Sequence, residues 1–412
     1  MEMNNETGAA KGILAPKGFE AAYTSAGIKK NNALDMALIY SETPCIAAGT
    51  FTRNRVFAAP VQRDRGLIQT SPCFNAIVVN AGVANACTGE KGLQDCKDTA
   101  EAVAKNIPCN SENVLICSTG VIGANLPMDK IKSGIEAMAK TLSSNPENGH
   151  GAAKAIMTTD TRPKEVSITV DIDGTPVTIG GMCKGAGMIH PNMATMLCFV
   201  TTDVLIKKKL LTTAFKEVID DSFNMISVDG DTSTNDTAIV LANGKAENKI
   251  IDSKNESYET FKRALGHVCT ELAKMIAGDG EGCTALIEAT VCNAKTRDDA
   301  RTLAKSIVTS SLTKAAVFGH DANWGRILAA MGYSGVDFDP EIVDIFVSSN
   351  NGRLQLVKDG IATDYSEDEA TSILSGNPVI ITADIKKGGE TATAWGCDLT
   401  LEYVKINADY RS

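Results

Sequence analysis

The sequence predicts a mixed α and β protein. Short apolar runs of strand character alternate with amphipathic helical stretches along the whole chain. A hairpin pattern sits near the middle, and neither an internal repeat nor a low-complexity segment interrupts the alternation. Ala76-Ile77-Val78-Val79 and Val114-Leu115-Ile116-Cys117 read as buried strands, each ending in a small polar cluster, Asn80-Ala81-Gly82 and Ser118-Thr119-Gly120. Small residues at strand ends suit a place where a ligand approaches the backbone. Ile131, Ile135, Met138 and Leu142 recur at helical spacing, and residues 143–151 read as an exposed connection. Val166, Ile168, Val170 and Ile172 alternate up to Asp173-Gly174, the hairpin signal. A glycine-bearing loop then leads into an apolar strand over 195–200. Lys207-Lys208-Lys209 opens a solvated helix start before Leu211, Phe215 and Val218. Tyr258, Phe261, Leu265, Val268 and Leu272 mark a second helix, and Ala300, Leu303, Ala304 and Ile307 a third. Ala315-Ala316-Val317-Phe318 and Ile345-Phe346-Val347 read as strands, and Val379-Ile380-Ile381 with 399–406 as a β-pair before a polar tail.

The 412 residues suffice for about two domains, and 43% hydrophobic with 22% charged content is ordinary for a globular chain. A net charge of −10, from 40 Lys plus Arg against 50 Asp plus Glu, argues against a nucleic-acid-tracking surface. Twelve cysteines occur without any CxxC pair, and Cys117 and Cys198 sit inside apolar runs, which points to a reducing compartment. The opening Met1-Glu2-Met3-Asn4-Asn5-Glu6-Thr7 is polar and acidic, unlike a secretory signal. No apolar stretch approaches the roughly 20 residues of a membrane helix. A cytoplasmic protein is expected.

Thr195 is the sharpest candidate for chemistry. It reads either as a β-branched residue opening a strand or as a nucleophile whose base is its own α-amine. The second requires scission of the Ala194–Thr195 bond, by attack of the Thr195 hydroxyl on the Ala194 carbonyl and hydrolysis of the resulting ester. An α-amine titrates near about 7.7–8.0 and can deprotonate its neighbouring hydroxyl without a relay. Thr119 and Gly120 are either a turn after a strand or, through hydroxyl and N–H, an oxyanion hole. Gly278-Asp279-Gly280-Glu281-Gly282 lacks the ending of a phosphate loop and reads as a helix cap and turn, with Glu281 placed to receive a cationic amine. The acidic stretch 229–237 does not match calcium-loop spacing and reads as a hydrogen-bonded loop. His190, Cys183 and Cys198 match no zinc pattern, Cys198 is too buried to be a nucleophile, and only four His occur. His320-Asp321 and Asn323-Trp324-Gly325-Arg326 form a polar and aromatic cluster of structural or site-shaping character.

Lys184-Gly185-Ala186-Gly187-Met188-Ile189-His190-Pro191-Asn192-Met193-Ala194-Thr195-Met196-Leu197 resembles the signature of the ornithine acetyltransferase family, also called glutamate N-acetyltransferase, of arginine biosynthesis. The resemblance covers nearly the whole chain, including 80–89, 118–123, Met157-Thr158-Thr159-Asp160-Thr161, 228–237, 278–282, 323–327 and Ile406-Asn407-Ala408-Asp409-Tyr410-Arg411. It implies an α+β fold, the αββα sandwich of self-processing aminopeptidases. It implies cleavage between Ala194 and Thr195 into an α chain, 1–194, and a β chain, 195–412, assembled as an α2β2 heterotetramer. Thr195 then becomes the nucleophile, Thr119 and Gly120 the oxyanion hole, and Thr158, Lys184, Thr195, Glu281, Asn407 and Ser412 the substrate contacts. Two departures stand out: Ser412 where many members carry Thr, and Ala285 where Lys is frequent.

The implied reaction moves the acetyl group of N2-acetylornithine to glutamate through an acetyl-threonine ester, without metal or cofactor. Some members also accept acetyl-CoA as a co-substrate donor. The alternatives are a self-processing aminopeptidase of the same fold and an unprocessed, non-catalytic binding homologue.

Overall fold

The computed structural model describes residues 12–190 and 196–408. In chain order the elements are β1 (Glu20–Thr24), β2 (Met36–Phe51), α1 (Ala59–Thr70), β3 (Phe74–Val83), α2 (Gly89–Asn106), β4 (Val114–Val121), α3 (Met128–Thr141) and α4 (Pro146–Ala155). There follow β5 (Lys164–Ile172), β6 (Thr175–Lys184), β7 (Leu197–Thr202), α5 (Lys208–Asp221), β8 (Ile226–Ser227), β9 (Thr237–Ala242) and α6 (Glu256–Ala277). The chain ends with β10 (Leu286–Ala294), α7 (Arg297–Thr309), α8 (Ser311–Phe318), α9 (Trp324–Gly332), β11 (Asp344–Ser349), β12 (Gly352–Lys358), β13 (Ile361–Ala362), α10 (Glu367–Leu374), β14 (Val379–Asp384), β15 (Glu390–Cys397) and α11 (Leu401–Ala408). Among the described residues no helix is long and apolar enough to cross a membrane.

The chain divides into two compact units. One runs to Gly185, resumes through Phe223 and closes over Thr232–Leu272; the other comprises Ala186–His190, Asn224–Asp231 and the chain from Ala273 onward. Neither follows the expected chain boundary at 194/195.

In the first unit the strand order is β4-β3-β2-β9-β7-β6-β5, with β1 also on β2. The long strand β2 belongs to two layers. Its first half, Met36–Tyr40, pairs with β1 and β3; after a register shift between Tyr40 and Cys45, its second half, Ile46–Phe51, pairs with β9. Alternation along the strands then sorts the apolar residues. Ile39, Ile77, Val79 and Leu115 from one layer share a buried core with Ala47, Met182, Leu197, Phe199, Ile239 and Leu241 from the other. The opposite face of the first layer carries Met36, Leu38, Val78 and Ile116, packed with Cys96 and Val103 of α2 and with Ile131, Ile135 and Met138 of α3. On the second layer α6 lies so close to β6 that a Cβ at Gly181 would stand 2.8 Å from Leu272 and 3.2 Å from Val268. Helix, sheet, sheet, helix: the αββα sandwich is present.

The second unit is built on a mixed sheet ordered β13-β12-β11-β14-β10-β15-β8, with α7 against β10 and β15 and α10 against β11 and β12.

Three sequence expectations are corrected. Residues 315–318 lie in α8, whose first turn is capped by Ser310 accepting from the Thr313 N–H at 3.2 Å. A four-residue apolar run has no period of its own, and the cap decides for helix. Residues 399–406 are mostly α11, started by Thr400, whose Oγ1 accepts from the Tyr403 N–H at 3.3 Å; β14 pairs instead with β10 and β11. The stretch 143–151 is partly α4, which Asn145 caps. The hairpin, the helices at 131, 211, 258 and 300, the start at Lys207-Lys208-Lys209, and the strands at 76, 114 and 345 stand where the pattern put them; the strand after the glycine loop begins at Leu197.

Phe199 is fully buried between the layers. Phe199→Ala is expected to lower unfolding stability by about 3–5 kcal/mol, read from urea denaturation.

Candidate active site

The end of β4 is held against β3 by an unusually close backbone approach. The two strands run parallel with Ser118 opposite Asn80 and Gly120 opposite Gly82, and the register slips at Gly82/Val83. Gly120 has φ +131°, and a Cβ there would overlap the Gly82 carbonyl, so only glycine fits. Side chains lock the same edge. Ser118 Oγ donates to Asn80 Oδ1 at 2.6 Å, Asn80 Nδ2 to Val83 O at 2.8 Å, and Asn235 Nδ2 to Ala84 O at 2.6 Å and Ser118 O at 2.8 Å. Thr119 and Gly120 are half-buried at the end of this rigid edge.

Lys184, at the end of β6, is buried, and its Nζ lies 3.5 Å from Thr119 Oγ1. Across the β6–β7 pairing Lys184 stands opposite Leu197, two residues beyond Thr195 in the sequence. The anchor of this corner is Asp160. Its carboxylate accepts from Lys164 Nζ at 2.6 Å, Gly185 N at 2.7 Å and Thr158 N at 3.0 Å. Burial alone would raise its pKa; the charges of Lys184 and Lys164 and the hydrogen bonds outweigh burial and hold it at about 2. Lys29 joins the group unannounced by the sequence. Its Nζ donates to Met157 O at 2.6 Å and Leu34 O at 2.9 Å, and its pKa is lowered by burial, with Asp35 opposing and Lys184 adding. Thr119, Gly120, Thr158 and Lys184 are thus gathered in the first unit.

In the second unit Glu281 is buried, with its N–H on Ala186 O at 3.0 Å and its Oε2 accepting from Asn407 Nδ2 at 2.8 Å. A side chain at Gly187 would collide with the Glu281 carboxylate, so that glycine keeps the acid's space open. Nearby, Asp229 accepts from Met188 N at 2.7 Å, Ile189 N at 2.8 Å and the Tyr403 hydroxyl at 3.3 Å, and burial raises its pKa. It fixes Met188 at φ +51°, a conformation costly for a non-glycine residue. Glu281 and Asn407 are therefore brought together. Ala194, Thr195 and Ser412 lie outside the described residues.

The remaining candidates take structural places. His190 Nδ1 lies 3.1 Å from Ser227 Oγ, and burial together with Lys305 brings its pKa down to about 4. Cys183 and Cys198 are fully buried thiols, and among the described residues no His, Cys, Asp and Glu group could hold a metal. Asn323 caps α9, and Ala285 donates its N–H to Asp398 Oδ1 at 3.1 Å while its carbonyl accepts from Asp398 N at 3.1 Å.

A family model for the ArgJ family matches residues 20–412. The chain belongs to the ArgJ family. It is 52% identical over 400 residues to the arginine biosynthesis bifunctional protein ArgJ of Caldanaerobacter subterraneus subsp. tengcongensis, spanning 97% of this chain and 98% of that one. It is 47% identical over 405 residues to the glutamate N-acetyltransferase of Methanocaldococcus jannaschii, with 97% and 98% covered. A crystal structure of Mycobacterium tuberculosis ornithine acetyltransferase complexed with ornithine matches at 44% identity and a TM-score of 0.42, covering 44% of this chain and 96% of that one.

In this ArgJ-family chain the Asp160 cluster has a measurable signature. Asp160→Asn is expected to cost about 3–5 kcal/mol at pH 7, because it uncovers the buried Lys164 charge. The folded-state pKa of Asp160 is depressed, so its contribution is present above the ordinary carboxylate range and lost as pH falls towards 2. Denaturation curves of wild type and variant are expected to converge by about 2 kcal/mol between pH 5 and pH 2.

Proposed function

We propose that this chain is an ornithine acetyltransferase of arginine biosynthesis, working by ping-pong transfer through Thr195. The observation that carries the reading is the corner at the end of β4: Thr119 and Gly120 on a rigid strand edge, with the buried ammonium of Lys184 3.5 Å from the Thr119 hydroxyl. Hydrogen-bond donors and a fixed charge in a half-buried place suit an oxygen that becomes negative only during reaction. Relatives spanning essentially the whole chain are named for this pathway, and the signature residues stand unbroken.

The chain first cuts itself between Ala194 and Thr195, freeing the Thr195 amine. That amine takes the proton of the Thr195 hydroxyl as Oγ attacks the acetyl carbonyl of N2-acetylornithine. Thr119 Oγ–H and Gly120 N–H receive the oxyanion. The acetyl C–N bond then breaks, the proton passes to the leaving nitrogen, and ornithine departs, leaving an acetyl ester. The amine of glutamate attacks this ester and carries the acetyl group away, returning the proton to Thr195. Acetyl-CoA, as donor, would load the same ester, and the second half-reaction would be unchanged. Thr158, Lys184, Asn407 and Ser412 serve as substrate contacts, Lys184 matching a substrate carboxylate. Glu281 suits the side-chain ammonium of ornithine. The two fragments remain together as αβ units, paired into α2β2, in the cytoplasm.

Thr195→Ala is expected to give one uncut chain by intact mass, with acetyl transfer reduced at least about 1,000-fold. Two fragments with normal turnover would reject the mechanism. Glu281→Gln is expected to raise KM for acetylornithine about 10-fold or more, through loss of a buried charge partner. An unchanged KM removes Glu281 from ornithine recognition. With the wild-type enzyme, kcat/KM is expected to rise with pH as the Thr195 amine loses its proton near about 7.7–8.0.

A further inference from the structure

A cavity of about 450 Å³ opens in the first unit where β2 runs into the segment before α1. Its wall includes Thr50, Phe51, Arg53, Arg55, Phe57 and Arg65, and among the described residues no acidic side chain lines it. In a chain of net charge −10, three arginines around one hollow are a local inversion of the overall balance. None of the residues assigned to acetyl transfer lines it. We propose that this cavity is a binding site for a small phosphate-bearing anion.

The site is organised before any ligand arrives. Arg65 Nη2 donates to Thr52 O at 2.7 Å, and its guanidinium sits 5.9 Å from the Phe51 ring centroid and 5.3 Å from that of Phe57. That holds one guanidinium in place at little further entropy cost on binding. The segment carrying Arg53 and Arg55 is also pinned. Thr52 Oγ1 donates to Ser233 O at 2.8 Å, Asn54 Nδ2 to Thr232 O at 2.9 Å, and Val56 N to Asn54 Oδ1 at 2.9 Å. Arg55 itself is exposed, so its fork meets an incoming anion without first leaving a buried position.

A phosphate suits this set better than a single carboxylate. It carries close to two charges near neutrality and several acceptor oxygens, enough for more than one guanidinium at once. Phe57 keeps 38% of its surface exposed beside these charges, apolar area on which an organic part of the ligand could rest.

Titration calorimetry on the full-length protein in about 0.1 M salt tests the proposal with pyrophosphate, ADP and citrate as probes. Pyrophosphate or ADP is expected to bind with Kd below about 100 μM, and citrate at least about 10-fold more weakly. Tighter binding of ADP than of pyrophosphate assigns the exposed Phe57 face to an organic moiety; equal binding assigns the site to the phosphate alone. Arg55→Gln, a surface change, is expected to weaken binding about 10-fold while leaving acetyl transfer unchanged. Absence of binding of both phosphate probes at 1 mM (about the weak limit of a specific site), equal affinity for citrate, or wild-type affinity in Arg55→Gln overturns the proposal.

Discussion

Asp160 accepts hydrogen bonds from Lys164 Nζ and from the backbone N–H groups of Thr158 and Gly185, and one wall of the candidate site in the first unit depends on that carboxylate. Lys29, Lys164 and Lys184 are all wholly or largely buried around it. Without an anion among them, three ammonium groups would repel one another in a poorly solvated place. With Asp160 ionised, Lys184 stays in position beside Thr119, the Gly185 turn is pinned, and Thr158 faces the same corner. The carboxylate thus couples the start of β5, the end of β6 and the loop before them. The backbone contact of Gly82 with Gly120 gives the opposite wall equal rigidity by steric means. One wall is set by charge and the other by the absence of a side chain, and both reduce the reorganisation needed when charge develops on a substrate oxygen.

Much of the fold was legible because burial imposes a period. The helices at 131, 211, 258 and 300 each lay one apolar stripe on a sheet or neighbouring helix, and the hairpin at Asp173-Gly174 carries the turn residues its geometry demands. The misreadings fell where that link breaks. Ala315-Ala316-Val317-Phe318 is too short to carry a period, and the deciding signal was Ser310, a cap several residues upstream. In α11 no residue is buried, with Leu401 74% exposed, so its apolar residues report no core and their alternation misled. The layer change within β2 falls at Glu42-Thr43-Pro44, a polar and largely exposed break with a proline between two buried halves, a mark that the apolar pattern on either side obscured.

For the site the balance differs. Thr119, Gly120 and Glu281 could be singled out because small residues at strand ends and charges in glycine-rich turns are conspicuous, and Lys184 through the family resemblance. The reasons for their placement could not. Lys29 and Lys164 carry no local signal, and nothing in the sequence says that Lys164 pairs with Asp160 or that Lys29 is drawn in beside them. Asn235 likewise carries no local signal, yet it bridges Ala84 and Ser118, over a hundred residues away in the chain. Such long-range pairings follow from topology, which a single sequence leaves open.

That topology also bears on what scission at Ala194–Thr195 would leave behind. In the strand order β2-β9-β7-β6 the two inner strands, β9 and β7, follow the cut, and the strands on either side of them, β2 and β6, precede it. Along β6–β7 the register runs unbroken from Ile179 opposite Thr202 to Lys184 opposite Leu197, and along β2–β9 from Ile46 opposite Ala242 to Phe51 opposite Thr237. Separating the fragments would strip both ladders and expose Met182, Leu197, Phe199, Ile239 and Leu241, all fully or nearly fully buried. Unpaired apolar strand edges of this kind aggregate rather than persist. Such a cut would therefore leave the two fragments held together under native conditions. It would change the covalent end at Thr195 while the sheet that frames Lys184 and Thr119 stayed whole, and an N-terminal nucleophile requires both.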